Sequence, residues 1–264
     1  MSTATHPANI HATAVVSSRA RIGRDCYIGP YCTIGDDVVL ADGVRLDSHC
    51  VIDGITQIGE GTHIFPFVSV GLPPQDLKYK GEASQTQIGK RNQIREFVTV
   101  HSGTAGGGML TRIGDDCLLM AQVHVAHDCV LGDRVIMANA ATLAGHVTVD
   151  DGANIGAYSG VHQFCRIGRE AYVGGYSVVV KDALPFALTV GNHARCYGLN
   201  VTGMKRRGYS KAVIDALHHA FKLLLSSKLN TTQALERIRE ESEIVPEVQV
   251  LLDFIKTSQR GVIK

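Results

Sequence analysis

The stretch Ile22-Gly23-Arg24-Asp25-Cys26-Tyr27-Ile28-Gly29-Pro30-Tyr31-Cys32-Thr33-Ile34-Gly35-Asp36-Asp37-Val38-Val39-Leu40 decides the fold. An aliphatic residue falls at every sixth position, and a small or β-branched residue stands two places before it, at Cys26, Cys32 and Val38. The pattern extends upstream to Val16 and Ile10 and downstream through Leu46, Ile52, Ile58, Ile64 and Val70. It resumes in phase at Ile88, Ile94 and Val100. After a one-residue slip it runs from Ile113 to Val179, giving 26 hexads in all.

A period of six matches neither the 3.6 of a helix nor plain strand alternation. It marks a parallel β-helix, in which each hexad forms one short side of a coil and three hexads close one turn. Parallel connections are generally right-handed, but this hexapeptide pattern resembles that of left-handed β-helices, so a left-handed coil is expected. Glycine often follows the aliphatic residue, as at Gly23, Gly29, Gly59, Gly114 and Gly132. That placement predicts a turn made there with positive φ.

Composition suits a thin prism: aromatic residues are 6% and there is no Trp. The net charge of +1 gives no bulk attraction to nucleic acid or anionic membrane. Met1 to Asn9 lack the basic and apolar segments of a secretory leader, and no run is long enough to span a bilayer. A cytoplasmic protein is expected. Six of the seven Cys occupy the small inward position, which reads as reduced packing rather than metal or disulfide chemistry.

The repeat breaks at residues 71–87, which include Gln75-Asp76-Leu77-Lys78-Tyr79, and at residues 105–112, which include Gly106-Gly107-Gly108. Both read as external loops, placed where function concentrates. The β-helix is expected over residues 1–187. Residues 188–264 read as a helical domain, with helices over Ser210–Ser226, after Thr231 or Thr232, and over Pro246–Thr257.

A coil of three hexads stacks His127, Gly145 and Gln163 in one column and Asp128, His146 and Phe164 in the next. His162 then sits beside Gln163, His124 lies at the corner leading into this face, and His101 lies on an adjacent face one coil earlier. Imidazole suits general-base work near neutral pH. Asp128 is equally readable as an orienting carboxylate or as a turn residue. A bare Gly145 amide suits an oxyanion. The pair His124-x-x-His127 with a third His also has zinc-ligand spacing, as in a carbonic-anhydrase-like β-helix enzyme. A non-catalytic β-helix scaffold is the bland alternative, and it does not account for His residues clustered beside two loops.

The stretches Gln75-Asp76-Leu77-Lys78-Tyr79, Ala126-His127-Asp128-Cys129, Leu143-Ala144-Gly145-His146, Val161-His162-Gln163-Phe164, Gly191-Asn192-His193-Ala194 and Lys205-Arg206-Arg207-Gly208 together resemble one family. It is that of the acyl-[acyl-carrier-protein]–UDP-N-acetylglucosamine O-acyltransferases of lipid A synthesis. The resemblance implies a homotrimer whose sites lie between subunits, acyl carrier protein as donor and UDP-N-acetylglucosamine as acceptor, with neither metal nor cofactor. It implies His127 as general base, Asp128 as its orienter and the Gly145 amide as oxyanion donor. Gln75, Asp76, Lys78, His101, His124, His146, His162 and Gln163 match positions lining the sugar-nucleotide site. Asn200, Arg206 and Arg207 match positions near the uridine diphosphate, and Gly175 and His193 positions tied to acyl-chain length. The chain departs from the family at Ser102, where Arg is usual, and at Thr202, where an acidic residue is usual. These departures leave an N-acyltransferase acting on an amino-sugar nucleotide as a second reading.

Overall fold

The structure, a computed structural model, describes residues 8–226 and 229–264. The Met1–Asn9 reading therefore falls, for residues 1–7, outside the described residues. Short strands wind into a left-handed parallel β-helix with three faces of 11, 9 and 8 strands, beginning at Asn9–Ile10, Val15–Val16 and Arg21–Ile22. Register pairs Asn9 with Tyr27 and Tyr27 with Arg45, as a coil of three hexads requires. His63 pairs with Gln93 and Gln93 with Leu118, which are longer steps, because both loops leave the chain between the second and third faces. The first runs from the strand Ser69–Leu72 to Gln85–Ile88, the second from Thr99–His101 to Leu110–Ile113.

Each hexad puts its aliphatic and its small residue inside. Ile28, Leu46, Ile64, Ile94, Leu119, Met137 and Ile155 are fully buried, with Cys32, Val44, Cys50, Val98, Val123 and Ala141 beside them. The six inward Cys are free thiols, and several lie within hydrogen-bonding reach of a backbone carbonyl of the next coil, as Cys129 Sγ does with Ala144 O at 3.2 Å. Ile10 remains 43% exposed, because a first coil has a neighbour on one side only.

The glycine expectation is corrected. Gly23, Gly29, Gly59, Gly114 and Gly132 do not have positive φ. The left-handed residue comes two places later and is mostly not Gly: Asp25 (φ 56°), Tyr31 (58°), Asp116 (57°), Arg134 (55°). Each such residue costs about 1–2 kcal/mol, offset by an amide bond to the coil below, such as Arg134 N–H to Asp115 O at 2.8 Å. The glycines serve close approach instead: a Cβ on Gly59 would lie 2.5 Å from the backbone carbonyl of Gly89.

Residues 188–264 are not helical throughout. Ala187–Val190 adds to the first face, and Arg195–Leu199 pairs with it antiparallel. Four helices follow: α1 (Val201–Arg206), α2 (Lys211–Ser226), α3 (Thr231–Glu241) and α4 (Pro246–Lys256). The strands were missed because they lie past the end of the hexad phase. Helix α1 was missed because six residues give no readable periodicity. Ile214, Leu217, Phe221 and Leu224 of α2 pack with Leu251, Leu252 and Phe254 of α4 over Phe186, forming a second core that caps the prism. The chain end returns, and Ile263 plugs the coil core through its amide bond to Asp182 O, 2.9 Å. Among the described residues no helix is long and apolar enough to cross a membrane.

Candidate active site

The second face delivers His124–Val125, and the chain then turns at Ala126–Asp128, with Asp128 in the left-handed region (φ 59°). That conformation brings two consecutive side chains together where a flat strand would splay them. His127 Nδ1 lies 2.8 Å from Asp128 Oδ2. The Asp128 side chain is fully buried. Its Oδ1 accepts the Thr104 amide (2.8 Å), and its Oδ2 also accepts the Thr104 hydroxyl (2.6 Å). The Asp128 amide donates to Thr111 Oγ1 at 2.8 Å. An ionised carboxylate only accepts, so its bond to His127 places the imidazole proton on Nδ1 and leaves Nε2 as a lone-pair acceptor. Asp128 is thus a turn residue whose carboxylate also bonds the neighbouring imidazole.

Gly145 lies one coil above and is required there: a Cβ would fall 2.4 Å from His127 Cε1 and 2.6 Å from Nε2. Its amide has no acceptor among the described residues. His146 stands edge-on to His127, with ring centroids 5.0 Å apart, and stacks on Phe164 at 4.3 Å. His146 Nδ1 is 3.8 Å from Asp128 Oδ2. Burial lowers the His146 pKa below its ordinary value, with Asp128 opposing. His162 and Gln163 are exposed, and His162 Nδ1 bonds to Gln163 O at 3.1 Å.

His101 ends the strand Thr99–His101 on the face of His124, one coil earlier, where Val100 pairs with Val125. Its ring stands edge-on to that of His124 at 5.0 Å, and His124 Nδ1 is 2.7 Å from Thr99 Oγ1. His101 is buried with Nδ1 unpartnered. Burial, aided by His124 and His127, holds its pKa down to about 4, and burial lowers His124 as well.

The two loops meet over this corner around a cavity of about 590 Å³, lined by Asp76, Lys78, Tyr79, Thr104, His146 and Phe164. Gln75 and Lys78 are exposed, and Asp76 Oδ1 accepts the Lys78 amide at 3.0 Å. Ser102 is buried and bonded to Ser84 Oγ at 3.1 Å, so it stitches the loops together where an Arg side chain would not fit unchanged. Sequence reading missed Thr104, Thr111 and Glu82. Thr104 meets Asp128 across a separation that includes the inserted loop, so coil arithmetic has no register for it.

Asn200, Arg206 and Arg207 do not join this group. They line a separate cavity of about 440 Å³ with Thr202, Glu170 and Tyr172, at the corner between the third and first faces. Asn200 caps α1, accepting from Gly203 N at 3.1 Å. Arg207 is committed to Glu170 (2.6 Å) and to Gly152 O (2.9 Å), while Arg206 is exposed. Burial raises the Glu170 pKa, and Arg207 opposes that shift. Gly175 and His193 lie at the remaining corner, where the Ala194 amide bonds Val178 O at 2.9 Å. Among the described residues, His124 is not one of the donors that gather closely enough to share a metal ion. The three donors that gather instead are His127, Asp128 and His146, and Thr104 already occupies both Asp128 oxygens.

Residues 182–263 match a family described as Udp N-acetylglucosamine O-acyltransferase, domain 2, and residues 8–54 and 110–145 match the bacterial transferase hexapeptide repeats. The acyl-[acyl-carrier-protein]–UDP-N-acetylglucosamine O-acyltransferase of Thermodesulfovibrio yellowstonii is 48% identical over 253 residues, 96% of this chain and 98% of that one. The structure of LpxA from Acinetobacter baumannii superposes with a TM-score of 0.94 at 44% identity, covering 97% of this chain and 99% of that one. The UDP-N-acetylglucosamine acyltransferase of Bacteroides fragilis gives a TM-score of 0.95 at 38% identity, covering 97% and 100%. The chain belongs to the acyl-[acyl-carrier-protein]–UDP-N-acetylglucosamine O-acyltransferase family.

Proposed function

We propose that this chain moves a 3-hydroxyacyl group from acyl carrier protein to the 3-hydroxyl of UDP-N-acetylglucosamine in the cytoplasm, the entry to lipid A synthesis. The observation that carries the chemistry is the His127 Nδ1–Asp128 bond of 2.8 Å, which leaves Nε2 basic. Nε2 takes the sugar hydroxyl proton as the oxygen attacks the thioester carbonyl. The tetrahedral oxyanion sits at the free Gly145 amide. The C–S bond breaks, and the protonated imidazole returns its proton to the departing thiolate. Asp76, Lys78, His146 and Gln163 hold the sugar end, and Arg206 reaches the diphosphate. Gly175, with no side chain, leaves room for a longer acyl group.

The working unit is a homotrimer. His127 stands at the corner before the third face and Arg206 at the corner after it, with strands such as Val130–Leu131 between them. One sugar nucleotide meets both when they come from neighbouring copies, and a closed threefold ring supplies that pairing at each interface. Incubation with UDP-N-acetylglucosamine and a panel of 3-hydroxyacyl carrier proteins, read by mass spectrometry, tests the reaction. An O-acylated sugar nucleotide is expected. Acylation only of an amino-sugar analogue, or none at all, would overturn it.

A further inference from the structure

Asp128 does not hold His127 unaided. Its carboxylate has two imidazoles within reach, His127 Nδ1 at 2.8 Å and His146 Nδ1 at 3.8 Å on the same oxygen. The carboxylate plane selects between them, and Thr104 fixes that plane from both ends, with its amide on Oδ1 and its hydroxyl on Oδ2. The turn carrying Thr104 presses against Asp128: a Cβ on Gly107 would lie 2.0 Å from the Asp128 carboxyl carbon. That turn is anchored in its own right. Glu82 accepts the Ala105 amide at 3.2 Å with one oxygen and the Lys80 amide at 2.7 Å with the other. Three backbone donors, from Lys80, Glu82 itself and Ala105, lower its carboxyl pKa. One carboxylate therefore joins the loop bearing Asp76 and Lys78 to the turn bearing Thr104.

We infer that Thr104, braced by Glu82, is a positioning residue for the reaction, directing Asp128 onto His127 rather than His146 and tying that alignment to the sugar-binding loop. The inference rests on the acyl-transfer reading above. The threonine touches no reacting atom and acts through the carboxylate.

Thr104→Val keeps the shape and the amide bond but removes the hydroxyl, and Thr104→Ser restores it. Both are assayed beside the wild-type trimer with 3-hydroxyacyl carrier protein and UDP-N-acetylglucosamine. Thr104→Val is expected to lower kcat about tenfold, with KM for the sugar nucleotide changed less than about twofold. The acid limb of its kcat profile moves to lower pH, because a carboxylate free to turn toward His146 stabilises the His127 imidazolium less. Thr104→Ser recovers kcat to within about threefold of wild type. A Thr104→Val enzyme with wild-type kcat and an unmoved acid limb overturns the inference, as does a Ser variant no better than Val. If wild type itself transfers no acyl group, it is the acyl-transfer reading that falls, whatever the Thr104 variants do.

Discussion

Gly145→Ala isolates what the packing of His127 contributes, because it adds one carbon and keeps the amide proposed for the oxyanion. The new Cβ would stand 2.4 Å from His127 Cε1, 2.6 Å from Nε2 and 3.0 Å from Nδ1. Relief to ordinary contact requires the ring to recede by about 1 Å. Asp128 does not follow it, since its side chain is fully buried and Thr104 holds both oxygens. The 2.8 Å bond to Nδ1 therefore stretches out of hydrogen-bonding range. A base displaced by this much costs on the order of 100-fold in rate, about 2.7 kcal/mol of barrier. The fold is spared, because the His127 side chain is 16% exposed and has room to swing outward. Steady-state kinetics on the purified protein should show kcat down about 100-fold, with the thermal midpoint lowered by a few degrees at most. The double variant His127→Ala, Gly145→Ala should be no slower than His127→Ala alone, since the clashing ring is gone. A Gly145→Ala enzyme within threefold of wild-type kcat would refute the placement of the ring.

Three further outcomes are expected. Gly59→Ala should destabilise the coil by about 2–4 kcal/mol in denaturant titration, since neighbouring coils must part to admit the Cβ. Ala140→Gly (φ 57° at Ala140) should stay within about 1 kcal/mol of wild type, as relief of left-handed strain offsets glycine's entropy; comparable losses in both would contradict the close-approach role. The neutral His101 ring contributes stability that is complete above its ordinary pKa of 6.5 and is lost as pH falls from there toward about 4. Urea midpoints should drop over that window by the equivalent of about 3 kcal/mol, and His101→Gln should flatten the slope; parallel slopes would sink that assignment. Co-assembled His127→Ala and Arg206→Ala chains should regain about one quarter of wild-type activity, the statistical share of interfaces with both residues intact. Activity no higher than that of the separate variants would place both residues in one subunit's site.

The hexad phase made the prism and the column of His127, Gly145 and Gln163 legible, because a coil of fixed length turns sequence distance into height. It misjudged the glycines, since periodicity shows that a residue is special without showing whether φ or crowding demands it. It placed His101 one coil earlier on the adjacent face, where Val100 pairs with Val125, but the inserted loop that follows lay outside its arithmetic. Thr104 and Glu82 were invisible for the same reason: they act from loops, where no register applies. Arg206 lies outside the repeat, so nothing in the hexad pattern reveals that it stands on another corner of the prism.

The general-base role of His127 is tested most directly by single-turnover acyl transfer with His127→Ala, alongside binding of UDP-N-acetylglucosamine to the same preparation. Transfer should slow by about 10²–10⁴-fold while the fold persists and the sugar nucleotide binds as before. Transfer within tenfold of wild type would show that the proton leaves the sugar by another route.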